Sequence, residues 1–302
     1  MHQSNITQRS HGHSFRIGLF LNLGYVLIEA AFGLAVGSLA LLADAGHNLV
    51  DVTGLTIAWG AQCLEQRAST ERRTYGWRKG TVLAPFSNAL LIMLVMGGLG
   101  WEAFQRLHHA PKVPGLTVII VAGVGFFVNT GTALLFARGR QQDLNRWGVF
   151  WHMAADASVS LAVVLGGIGM LWTNWLWLDP AISLLVVVVV TIGTWRLLRE
   201  AFNLVMDAVP RNIDIEVVRS MLMKMPGVMT IHDLHIWALS TTETALTAHV
   251  VVKQNEDYDA VIGAAVERVR KDFPIHHVTL QAERVRCGKT CERGVKEKSS
   301  SD

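Results

Sequence analysis

Six stretches of mostly apolar residues follow one another along the first two-thirds of the chain, at roughly 15–36, 39–63, 81–106, 114–137, 148–172 and 176–198. A helix needs ~20 such residues to cross a bilayer, and hydrocarbon offers backbone amides no partner outside the helix itself. The pattern therefore predicts a bundle of six transmembrane helices. After Pro210 it changes. Residues 213–225 read as an amphipathic helix and 258–273 as a helix, while 228–239, 245–252 and 277–283 read as strands. That order, α-β-β-α-β over about 75 residues, predicts a small open α/β sandwich with its helices on one sheet face. Four segments follow: a flexible polar terminus 1–14, a membrane part 15–207, a soluble domain 208–286 and a charged, Ser-rich, flexible tail 287–302.

Charge sharpens this division. Only 17% of the residues are charged, against about 25% in soluble domains, and most of them come after residue 195. The net charge of +3 is too small to argue for nucleic acid as a partner. The basic residues read instead as topology signals. Arg9 and Arg16, then Arg67, Arg72, Arg73, Arg78 and Lys79, then Arg138, Arg140 and Arg146, then Arg196 and Arg199 fall on one side. The other side carries only Arg106 and Lys112. The positive-inside rule puts both termini in the cytoplasm, and Trp172, Trp175 and Trp177 fit an interfacial belt at the far surface. Cys63, Cys287 and Cys291 make no disulfide framework, and no cleavable signal peptide is evident. The expectation is a multi-pass protein of a bacterial inner membrane.

The chemistry lies in two short pieces. His47 and Asp51 are four residues apart in the second apolar stretch, so on a helix they share one face. His152 and Asp156 repeat the spacing in the fifth. Ionisable groups inside a bilayer are costly and usually functional. Two helices that each offer an imidazole and a carboxylate supply four ligands to one divalent cation, and the two carboxylates offset its charge in low dielectric. Nitrogen and oxygen donors in fourfold coordination suit zinc. The lack of thiolate argues against copper(I), and the imidazoles argue against magnesium or calcium; cobalt, cadmium and nickel fit as well. Asp44, one turn before His47, either fixes the imidazole tautomer or lines the ion's path. Glu29 is a proton or structural partner.

These residues carry a resemblance. Ser38-Leu39-Ala40-Leu41-Leu42-Ala43-Asp44-Ala45-Gly46-His47-Asn48-Leu49-Val50-Asp51 is similar to the second-helix signature of the cation diffusion facilitator family, a family of metal/proton antiporters. His152 and Asp156 resemble its fifth-helix partner, and Asp179-Pro180 the start of its sixth helix. Pro226-Gly227-Val228, Ile231-His232-Asp233-Leu234-His235-Ile236-Trp237 and Thr279-Leu280-Gln281-Ala282-Glu283 resemble its cytoplasmic domain. The resemblance spans nearly the whole chain. It implies a ferredoxin- or metallochaperone-like cytoplasmic domain, a homodimer, and a transport site made of His47, Asp51, His152 and Asp156. In the family such a set goes with zinc, often with cobalt or cadmium tolerated. It also implies a second, cytoplasmic metal site drawn from His232, His249, His276, Glu283, Cys287 and Cys291, and a pairing of Lys79 with Asp207 at the membrane edge. Tyr75-Gly76-Trp77 stand where some relatives carry a further metal site, so none is expected there.

Ligation requires neutral imidazole and ionised carboxylate, so metal and protons compete for the site. The expected activity is export of zinc in exchange for protons, without ATP, since no Gly-xxxx-Gly-Lys-Ser/Thr loop is present. Two other classes remain open: an intramembrane metalloenzyme, although the usual His-Glu-xx-His helix is missing, and a metal sensor that does not transport.

Overall fold

The structure, a computed structural model, describes residues 23–137 and 144–284. The segments 1–14 and 287–302, with Cys287 and Cys291, lie outside the described residues. The elements are α1 (Leu23–Val36), α2 (Leu39–Glu65), α3 (Gly80–Arg106), α4 (Gly115–Ala137), α5 (Leu144–Thr173), α6 (Leu178–Val205), α7 (Ile215–Met223), β1 (Val228–Ala238), β2 (Thr244–Val252), α8 (Tyr258–Asp272) and β3 (His277–Glu283). Two compact units result: residues up to 57 with 87–198, and 58–86 with residues from 199 onward.

The first unit is helical. Leu41, Met96, Val118, Val163 and Val186 pack in its core. Leu94, Phe127, Trp172 and Ile192 stand exposed on its outer surface, an arrangement that water would penalise and hydrocarbon would not. Of the six predicted spans, four meet the length and apolarity of a membrane crossing among the described residues: Gly80–Arg106, Gly115–Leu134, Phe150–Thr173 and Leu178–Val205. The described part of α1 is shorter. α2 is long enough, but Asp44, His47, Asn48 and Asp51 lower its apolar character.

The start of α2 is held by a different helix. Asp179, in the first turn of α6, accepts hydrogen bonds from the Ser38 hydroxyl and from the Leu39 amide at 2.8 Å. Ser183 donates to the Leu39 carbonyl, and Arg106 donates to the Gly37 carbonyl. Free amides at a helix start need acceptors, and a carboxylate supplies them well. Gly37 has φ 72°, the left-handed turn that brings α1 back into α2. The helix that carries His47 and Asp51 is thereby fixed in depth and rotation.

The second unit holds the α/β fold predicted after Pro210. β1 pairs antiparallel with β2, and β2 pairs parallel with β3, in the order β1-β2-β3. Val218 and Leu222 of α7 and Ala265 and Val269 of α8 pack with Ile231, Ile236 and Val250 of the sheet. Asp214 and Asp257 cap the two helices through their second and third amides. β1 contains a bulge between His232 and His235, with Asp233 at φ 52°. The extra residue shifts the alternation, so that Ile231 and Ile236, five apart, both face the helices. His232 then lies opposite His249 on the other face. The α2–α3 connection belongs to this unit: Arg78 bonds to Glu243 and His277, the Thr241 amide to Thr81, and Lys79 lies 2.5 Å from Asp207.

Candidate metal centre

α2 and α5 bring the two His-xxx-Asp pairs together. His47 Nε2 lies 3.7 Å from Asp51 Oδ2 and 3.4 Å from Asp156 Oδ1. His152 Nε2 lies 3.1 Å from Asp51 Oδ2 and 3.7 Å from Asp156 Oδ2. The four groups thus alternate, imidazole and carboxylate, around a closed ring. Zinc–nitrogen and zinc–oxygen bonds of about 2.0–2.1 Å in a tetrahedron set ligand atoms about 3.3 Å apart. The four separations bracket that value. The imidazoles meet edge to face, with centroids 6.1 Å apart. Asp51 Oδ2, Asp156 Oδ2 and His47 Nδ1 are buried with no hydrogen-bond partner among the described residues. Polar atoms left in this state call for a ligand.

Exposure falls across the ring. The His152 side chain is 46% exposed and Asp51 23%, while His47 is 15% and Asp156 2%. The ring is open beside Asp51 and His152 and closed beside Asp156.

Asp44 does not face His47 through a hydrogen bond. Its carboxylate is completely buried and accepts from Ser160 Oγ at 2.8 Å and from Asn48 Nδ2 at 3.2 Å. Ser160 is one turn beyond Asp156 on α5, so Asp44 ties α2 and α5 together. Sequence reasoning passed over Ser160, although its spacing of four from Asp156 placed it on the same helix face.

A second cluster lies on the sheet face away from the helices. His232 Nε2 is 2.9 Å from Glu283 Oε2, and His249 Nδ1 is 2.7 Å from Glu283 Oε1. One ligand atom from each of the three falls within 4.8 Å of the others. Gln281 donates to Glu283 and orients it. His276 does not join them. The parallel register sets Ala245 beside His277, and His276 bonds to Thr244. Glu283 stands at the other end of β3, about 20 Å away at the usual strand rise.

Comparison with known proteins covers both halves of the chain. Residues 15–206 match the family model of the cation efflux transmembrane domain. Residues 210–285 match that of the cation efflux protein cytoplasmic domain, a dimerisation domain. The metal cation efflux system protein CzcD of Cupriavidus metallidurans is 33% identical over 285 residues, covering 92% of this chain and 90% of its own. The zinc transporter ZitB of Escherichia coli K12 is 31% identical over 286 residues, covering 94% and 91%. A cadmium, cobalt and zinc/H(+)-K(+) antiporter of Bacillus velezensis is 29% identical over 287 residues, covering 93% and 91%. Among solved structures, the metal-bound C-terminal domain of the CzcD transporter is 36% identical, with 24% of this chain and 99% of that one covered at a TM-score of 0.22. With both family models matched and relatives aligned over at least 90% of each chain, this chain belongs to the cation diffusion facilitator family, as a multi-pass membrane transporter for metal cation efflux that pairs through its cytoplasmic domain.

Proposed function

We propose that the protein exports zinc from the cytoplasm in exchange for protons, with cobalt and cadmium as further substrates, by alternating access at His47, Asp51, His152 and Asp156. The observation that carries the reading is the alternating ring, whose 3.1–3.7 Å separations suit one tetrahedral dication. The two carboxylates cancel the 2+ charge, so the loaded ring is neutral and tolerable in low dielectric. All six apolar stretches cross the bilayer, with both termini in the cytoplasm of a bacterial inner membrane. In that orientation Asp51 and His152 are the cytoplasmic members of the ring. They are also its more exposed members, so the conformation described is open inward. Rocking of the bundle then closes this side and opens the other around a fixed site.

Supporting the same reading, relatives at about 30% identity carry names of zinc, cobalt and cadmium transport, and one of them names protons. The test is reconstitution. Zinc driven into sealed vesicles containing the protein should move protons the opposite way, without ATP. Zinc flux with no proton movement would overturn the exchange. No zinc flux under any gradient would overturn the function and favour a sensor.

His232, His249 and Glu283 hold a second metal ion in the cytoplasmic domain. Zinc equivalents bound per protomer, measured by calorimetry on the full chain, should fall by about one in Glu283→Ala, because one carboxylate bridges both imidazoles. An unchanged count would remove this site.

A further inference from the structure

One buried acid in the membrane bundle is left unused by the ring. Glu29 on α1 is completely buried. Its Oε1 accepts a hydrogen bond from the Tyr25 hydroxyl, one turn earlier, at 2.6 Å. Its Oε2 has no hydrogen-bond partner among the described residues. The Tyr25 hydroxyl also lies 3.3 Å from the Val121 carbonyl on α4. Gly125 makes room for it, since a Cβ there would collide with the phenol. Among the described residues, the titratable groups acting on Glu29 are Tyr25 from its own helix and Asp44 from α2; α4 meets Tyr25 through the Val121 carbonyl. No ion pair with a basic group satisfies it among the described residues.

A carboxylate sealed inside a membrane bundle, with one oxygen unsatisfied and another acid nearby, has to be neutralised. A proton is the ligand that fits: it turns the orphan Oε2 into a hydroxyl and needs no further space. Asp44, whose charge acts on Glu29, itself stands beside the metal ring. It is bonded to Ser160, one turn past Asp156, and to Asn48, the residue after His47.

We propose that Glu29 binds a proton that is exchanged during the transport cycle, in addition to those displaced from the ring itself. The inference rests on the antiport reading above. When a dication fills the ring, its charge is the largest nearby and favours the Glu29 carboxylate. The O–H bond of Glu29 breaks, and the proton passes to water on the side to which the bundle is open. When the metal leaves, the carboxylate takes one proton from water and the O–H bond re-forms. No electrons move, and each cycle carries one proton at this site.

The experiment counts protons. Zinc binding to the purified full-length protein is measured calorimetrically in buffers of different ionisation enthalpy, which yields protons released per zinc. Glu29→Gln keeps an acceptor for Tyr25 but cannot release a proton, and it should lower the count by about one while zinc still binds. Should Glu29→Gln fail to fold, Glu29→Met gives the same reading. Tyr25→Phe keeps the acid and should keep the full count. An unchanged count in Glu29→Gln overturns the proposal. So does an equal loss in Tyr25→Phe, which would assign the effect to packing, and so does loss of zinc binding in Glu29→Gln. Zinc binding that releases no proton from the unaltered protein overturns the antiport reading instead.

Discussion

Alanine at Asp51 is expected to lower zinc flux into proteoliposomes at least about 100-fold while the protein still folds and pairs. Loss of an outer partner of a metal ligand already costs about 10–100-fold in affinity, and Asp51 is proposed as a ligand itself. Its Oδ2 is 3.7 Å from one imidazole and 3.1 Å from the other. Its removal takes one donor of four and one of the two charges that offset the dication, so the remaining ring is both open and cationic when loaded. Folding should not suffer. Oδ2 makes no well-aligned hydrogen bond among the described residues, and what the substitution removes are its contacts with the two imidazoles, which belong to the ring rather than to the packed core of the bundle. Asp51→Asn keeps the shape without the charge and should fall in the same range, which separates charge from volume. Flux is read with a zinc indicator inside the vesicles, and pairing by light scattering. Full flux in the double variant Asp51→Ala/His152→Ala would sink the assignment of the ring.

How much of this was written in the chain differs from group to group. The His-xxx-Asp spacing on two helices was legible because four residues is one helical turn, and the ring geometry follows once α2 and α5 pack together. The elements after Pro210 were legible too. Period-two and helical patterns put the predicted and observed ends within about two residues. What depends on a partner from elsewhere in the chain was not legible. Asp179 reads as the start of α6, yet its carboxylate caps α2, 140 residues away. Asp44 reads as a companion of His47, yet its bonds go to Asn48 and Ser160. The β1 bulge was hidden because residues 228–239 look like one strand, although Ile231 and Ile236 are out of phase for it. His276 was grouped with His249 on the resemblance alone, and the strand register separates them. The second span was seen as apolar because its site residues are few. Those same residues keep α2 out of the helices that qualify by apolarity, a conflict of local and global demands expected at a functional site.

Acidification is expected to weaken zinc binding at the ring, by up to about 100-fold per pH unit where both imidazoles carry protons in the metal-free state. The sign follows from ligation. Each imidazole must give up its proton before its nitrogen can donate to zinc, so protons compete with metal and affinity falls as pH falls. One displaced proton contributes tenfold per unit, and two contribute the square of that. The carboxylates steepen the slope only at pH values where they too carry protons. Affinity measured by competition with a chelator between pH 6 and 8 should therefore plot with a slope approaching two decades per unit wherever both imidazoles are protonated in the metal-free state. An exterior more acidic than the cytoplasm then does useful work. On the exchange proposed above, the ring would load where protons are scarce and empty where they are plentiful, and the gradient would set the direction of export. Affinity independent of pH across that range would leave His47, Asp51, His152 and Asp156 as a binding site, but it would remove protons as the force that unloads it.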